Sequence, residues 1–104
     1  MDKKLSSLLS LCQKAGKITT GEESCERIIA KGEAKLILIA GDASDNTKKK
    51  FKNKGIFYNV PVVVFSDRET LSSCIGKNNR PTLVITDENF SQKLLILLKE
   101  SSVI

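Results

Sequence analysis

The sequence predicts an α/β protein, a three-layer α/β/α sandwich in which about five helices cover a central mixed and largely parallel sheet of about four strands. Three observations carry this expectation. The runs "KLILIA" (35–40), "VVVF" (62–65) and "TLVIT" (82–86) are too short for helices and apolar at nearly every position, as strands covered on both faces require. The stretches around them repeat apolar residues at helical spacing. The two patterns alternate, so helices link successive strands, and helical crossovers favour parallel pairing.

Taken in order, Leu5, Leu8, Leu9 and Cys12 fall at i, i+3, i+4 and i+7, an apolar stripe on a first helix of about residues 3–15, which Gly16 ends. "KITT" is short and β-prone, and Gly21 then releases a second helix in which Cys25, Ile28 and Ile29 share a face until Gly32. "KLILIA" has the composition of the central strand. "DASDN" offers several N-cap side chains for a third, basic helix that runs to about Tyr58, with Gly55 weakening its last turns. Pro61 opens a second buried strand, and Ser66 with Glu69 has the S-x-x-E spacing of a capping box for a short fourth helix that contains Leu71 and ends near Gly76. After "TLVIT", Asp87 can cap a last helix whose Phe90, Leu94, Leu97 and Leu98 lie at i, i+4, i+7 and i+8. At 104 residues, with no linker, repeat or low-complexity segment, residues 1–104 read as one domain.

Composition narrows the chemistry. The chain contains no histidine, which removes the commonest general base and every Ser-His or Cys-His nucleophile pair. Its three cysteines, Cys12, Cys25 and Cys74, form no C-x-x-C pair, so they read as buried small hydrophobes rather than metal ligands or a redox couple. The expectation is a non-enzyme without metal or cofactor. No run has the length of a membrane span, and "MDKKLSSLLSLCQKAG" interrupts its leucines with polar residues, unlike a signal peptide, so a cytoplasmic protein with no membrane contact is expected.

The net charge of +5 is concentrated: residues 34–60 carry six Lys/Arg against two Asp/Glu, while the flanking stretches are nearly balanced. The excess lies in "KKKFKNK" (48–54), which reads either as a solvated helix face or as a cluster that attracts phosphate backbones without specifying sequence. Two loops stand out as candidate sites, because sheet and helix faces are committed to the core. In the turn Gly16–Ser24, Glu22 and Glu23 open the second helix, where first-turn carboxylates stabilise the dipole by roughly 0.3–1 kcal/mol even without a ligand. The turn has neither P-loop nor dinucleotide-fingerprint spacing. In the loop Gly76–Pro81, Lys77, Asn78, Asn79 and Arg80 stand together.

The phrase "LCQKAGKITTGEESCERIIAKGEAKLILIAGDAS", together with "DNTKKK", "VPVVVF" and "IGKNNRPTLVITDENF", resembles the ribosomal protein L7Ae family, and within it the small bacterial members of the YlxQ type. The resemblance covers about residues 5–98. It implies a three-layer α/β/α fold that binds kink-turn or similarly bent structured RNA, ribosomal RNA among the candidates, as a monomer. The two loops are the implied contact, through Lys14, Lys17, Gly21, Glu22, Glu23, Ser24, Arg27, Lys77, Asn78, Asn79 and Arg80. In the family's kink-turn binders this turn reads asparagine, glutamate, then a lysine one helical turn on. Aligned from Gly21, those positions are Glu23, Ser24 and Arg27, so only the basic residue is kept in kind.

A carboxylate facing RNA suits base edges, where it accepts from amino and imino hydrogens. The residues after the second loop's glycine are largely apolar in the strongest family binders, whereas "KNNR" here suits phosphate and sugar contacts, so weaker or more salt-dependent binding is expected. Phe51, Phe57, Tyr58, Phe65 and Phe90 all fall within expected helices or strands and read as core rather than as stacking platforms. Two other readings stay open: a protein-interaction module on the same fold with a degenerate RNA site, and a small-ligand or phosphate-receiver α/β domain with Asp42 or Asp67 as acceptor.

Overall fold

The computed structural model describes residues 1–104. Its elements run α1 (Lys3–Lys14), β1 (Ile18–Thr20), α2 (Glu22–Ala30), β2 (Leu36–Ile39), α3 (Asp45–Tyr58), β3 (Val62–Val64), α4 (Arg68–Cys74), β4 (Thr82–Ile85) and α5 (Glu88–Glu100). Helix starts follow local polar chemistry: Ser44 accepts from the Thr47 N–H and Asp87 from the Phe90 N–H. The start of α4 differs from the expected Ser66–Glu69 box. Ser66 takes a left-handed φ of 59°, and Asp67 caps instead, accepting from Thr70 N at 2.8 Å and Thr70 Oγ1 at 3.0 Å. Those two bonds hold the Asp67 carboxyl below its ordinary range.

The strands form one sheet in the order β1-β4-β2-β3. The three-layer architecture is as expected, with alternation along each central strand dividing the core. Leu36, Leu38, Leu83 and Ile85 face a cluster with Leu5, Leu9 and Cys12 of α1, Leu71 of α4, and Leu94 and Leu98 of α5. Ile37, Ile39 and Val84 face the other side, with Cys25 and Ile29 of α2 and Phe51 of α3. All residues of β2 and β4 are buried, whereas β3, expected to be fully buried, is a half-buried edge strand.

The sheet is mixed, but it is not largely parallel. Only β2 and β3 pair parallel, and β4 inserts antiparallel to both β1 and β2. The cause lies in the connection. Helix α4 has seven residues, about 10 Å of helix, and the chain from Ile75 to Pro81 doubles back, so β4 enters the sheet at the end where β3 leaves it. An ordinary crossover helix would have delivered β4 to the opposite end. The doubling back therefore sets the 76–81 loop beside the ends of β1, β2 and β3. No helix is long and apolar enough to cross a membrane.

Candidate functional site

Where β1 ends, Gly21 turns the chain into α2 with φ 87°, a left-handed geometry that glycine adopts without penalty. No side chain caps α2. Its first-turn N–H groups have no partner within the helix, and the positive end of its dipole faces outward. Opposite it, the 76–81 loop is held down on two sides. Ser72 of α4 accepts the Arg80 N–H at 2.7 Å, and Arg68 donates to the Asn79 side-chain oxygen at 3.0 Å and to the Asp42 carbonyl at 3.0 Å. The Arg68 N–H also donates to Asp42 Oδ1 at 2.9 Å, and the Ala40 N–H to the Pro81 carbonyl at 2.8 Å. Asp42 and Asp67 are thus tethers of the loop and of α4.

Between the turn and the loop lies a cleft of about 170 Å³ lined by Gly21, Glu22, Thr47, Asn79, Arg80 and Thr82. Two buried polar atoms at this place have no hydrogen-bond partner, Arg80 Nε and Thr82 Oγ1, and Thr82 is only 3% exposed. Buried polar groups are nearly always paired, so the guanidinium N–H and the hydroxyl leave hydrogen-bonding capacity unmet in two residues that line the cleft.

The glutamates of the turn are not equivalent. Lys50 of α3 reaches Glu22 at 2.9 Å and Glu26 at 3.1 Å, a latch between α2 and α3 in which the two carboxylates hold the Lys50 ammonium above its ordinary range. Glu23 makes no ion pair and is exposed. Arg27, four residues on and on the same helix face, is likewise exposed and unpaired, and Ser24 is half-buried.

Of the residues expected at the site, Gly21, Glu22, Asn79 and Arg80 meet across the cleft, and Glu23, Ser24 and Arg27 continue its rim along α2. Lys77 and Asn78 are exposed on the loop but do not line the cleft. Lys14 and Lys17 belong to the opposite end of the sheet. The Lys17 carbonyl accepts from Thr86 N at 3.0 Å, past the far end of β4, and four extended residues, roughly 13 Å, separate Lys17 from Gly21. Sequence reasoning missed Thr47, Lys50, Arg68 and Thr82. Lys50 lay inside the singled-out basic run, while the other three had no local signal, because only the fold brings them here.

The fold is an α/β/α sandwich with a polar cleft at one end of a layered scaffold, between the α2 turn and the loop before β4. The family model described as the ribosomal protein L7Ae/L30e/S12e/Gadd45 family matches residues 3–95, and the chain belongs to that family. Among its relatives, the RNA-binding protein YlxQ of Bacillus subtilis (strain 168) is 40% identical over 91 residues, 88% of this chain and 91% of that protein. The RNA-binding protein YlxQ of Enterococcus faecium is 38% identical over 96 residues, 92% of each. A solved structure of a protein with unknown function from Bacillus halodurans C superposes with a TM-score of 0.90 at 36% identity, covering 94% of this chain and 99% of that one. A 15.5kD RNA binding protein of Giardia lamblia shares the fold at a TM-score of 0.77 and 16% identity, over 96% of this chain and 92% of that one.

Proposed function

We propose that this chain is a non-enzymatic RNA-binding protein of the cytoplasm, a single domain acting as a monomer. It holds a kink-turn or similarly bent structured RNA, ribosomal RNA among the candidate sources, in the cleft between the start of α2 and the 76–81 loop. The observation that carries this reading is the cleft itself, which the uncapped start of α2 shares with Arg80 and Thr82, two residues that each leave a buried polar atom without a partner. The names of the bacterial relatives support an RNA ligand.

The chemistry divides the work. Free first-turn N–H groups and the Arg80 guanidinium suit phosphate oxygens, which position the RNA. Glu23, free of any ion pair, can accept from base amino and imino hydrogens exposed at a bend, which a regular duplex hides. Arg27 adds a phosphate contact one helical turn on. Glu22 stays with Lys50 and sets the α2–α3 geometry.

Titrating a kink-turn RNA and a straight duplex of equal length at two salt concentrations tests this. The bent RNA is expected to bind more tightly at both, with a preference that outlasts the salt-sensitive part of the affinity. Equal affinities for the two RNAs at both concentrations would reduce the interaction to basic attraction. The departure of Glu23 and Ser24 from the family's asparagine and glutamate favours a second reading, a protein-interaction module. That reading gains if Glu23→Ala and Arg27→Ala each leave RNA affinity unchanged.

A further inference from the structure

The most basic run of the chain, Lys48 to Lys54, serves the cleft region only through the Lys50 latch. Its helix has another face. Helix α3 buries only Phe51 and Gly55. The exposed residues Lys49, Lys52, Asn53, Ile56 and Phe57 fall at i, i+3, i+4, i+7 and i+8, on a single outward stripe. That stripe is basic in its first half and apolar in its second. Ile56 is 81% and Phe57 79% exposed, and the ring of Tyr58 stands edge-on to that of Phe57 with centroids 4.8 Å apart. Beneath Ile56 a groove of about 580 Å³ runs between Lys52, Asn59, Val60 and Pro61.

Large apolar side chains this exposed bury nothing of their own fold, and together they mark an interaction surface. The lysines indicate its chemistry. Lys49 and Lys52 have no acidic partner, and the only acid on α3 is Asp45 in its first turn. A row of unpaired cations leading to an exposed aromatic pair is the arrangement that binds single-stranded nucleic acid, with cations on the backbone and a ring under a base. The stripe lies on the far side of α3 from Thr47, which lines the cleft. Phe57 is ten residues further along the axis, about 15 Å at 1.5 Å per residue, within reach of a strand that leaves the cleft and passes around the helix.

We propose that the outer face of α3 is a second RNA contact, in which Phe57, braced by Tyr58, stacks on an unpaired base flanking the structured element in the cleft, while Lys49 and Lys52 hold the adjoining phosphates. This rests on the RNA reading of the cleft and extends it to the single strand that leaves the bend. Stacking tolerates any base, so the contact adds affinity and sets a polarity for the flanking strand without reading its sequence.

The experiment compares a kink-turn RNA alone with the same RNA carrying about six unpaired uridines, added at either end in separate probes, by fluorescence anisotropy at fixed salt. The proteins are wild type, Phe57→Ala and the Lys49→Ala/Lys52→Ala double variant, with thermal melting as the folding control. One of the two extensions is expected to tighten wild-type binding about tenfold. Phe57→Ala should abolish that gain and the lysine pair should reduce it, each gain being read against the same protein's affinity for the unextended RNA, which Phe57→Ala should leave unchanged. A wild-type protein that gains nothing from either extension overturns the proposal, as does a gain that survives Phe57→Ala.

Failure of the cleft reading looks different, because the unextended bend is then bound no better than a straight duplex. In that case the free uridine strand is the probe. A fall of about tenfold on Phe57→Ala supports the α3 contact by itself, and no fall overturns it. Loss of a protein partner on Phe57→Ala, with RNA gains intact, also overturns it and assigns the face to protein.

Discussion

Glu22 and Glu23 are adjacent in sequence and opposite in use. Glu22 is tied to Lys50 across to α3, while Glu23 stands free beside Arg27, so the turn leaves one carboxylate unpaired rather than two. Nothing local distinguishes them, because the partner that separates them sits 28 positions from Glu22, at Lys50. On the other wall Arg80 carries the test of electrostatic positioning. Arg80→Ala is expected to weaken binding of a bent RNA and to lower the slope of log affinity against log salt by about one, and an unchanged slope would remove Arg80 from the phosphate contacts.

The thiols make a separate residue-scale prediction. Burial, its largest cause, raises Cys12 from 9.0 to about 11 and Cys25 to about 12, so at pH 8 each is almost wholly protonated and inaccessible. Mass spectrometry of the native protein after iodoacetamide should find the label on half-buried Cys74 first, and native-state labelling of Cys25 would contradict the fold around it. The linkage has a definite sign. Between the unfolded value near 9 and the folded values of about 11 and 12, the unfolded chain has lost protons that the native state keeps, so stability is full below pH 9 and falls as pH rises through that window.

Among the elements, α3 shows both what the sequence pattern reveals and what it conceals. Its extent to Tyr58 and its polar start were legible from "DASDN" and the length of the basic stretch. Its faces were not assigned correctly, since Phe57 and Tyr58 were expected in the core and are exposed. The reason is a glycine. The position one turn beyond Phe51 that packs on the sheet is Gly55, where a Cβ would overlap Val62 Cγ2 and approach the Val60 carbonyl oxygen to 2.9 Å, so an apolar side chain is missing from the buried face and the apolar residues after it fall, by helical spacing, on the outer one. Gly55→Ala should therefore destabilise the protein by about 1–3 kcal/mol in urea unfolding, despite alanine's better helix propensity. A stabilised variant would mean that α3 does not lie this close to β3.

At the scale of the whole molecule, the layers, the four strands and the five helices were legible, because each strand's burial and each helix's stripe are local patterns. Strand direction was not. Whether a helical connection crosses the sheet or returns depends on how far α4 carries the chain and how much of that the segment 75–81 takes back, and neither is encoded in periodicity. The antiparallel insertion of β4 matters most for the candidate site, since it places Arg80 and Thr82 opposite the α2 start and leaves Lys14 and Lys17 at the far end. The basic excess on α3 adds long-range attraction to the same molecule.

The proposed RNA contact spans the cleft between the α2 turn and the 76–81 loop. Amide chemical-shift mapping during titration with a kink-turn RNA tests it most directly. The largest shifts are predicted at Gly21 to Ser24, Arg27, Asn79, Arg80 and Thr82, with Lys14 and Lys17 unmoved. Shifts centred on Lys14 and Lys17 at the opposite end of the sheet, with Gly21 and Arg80 silent, would contradict it.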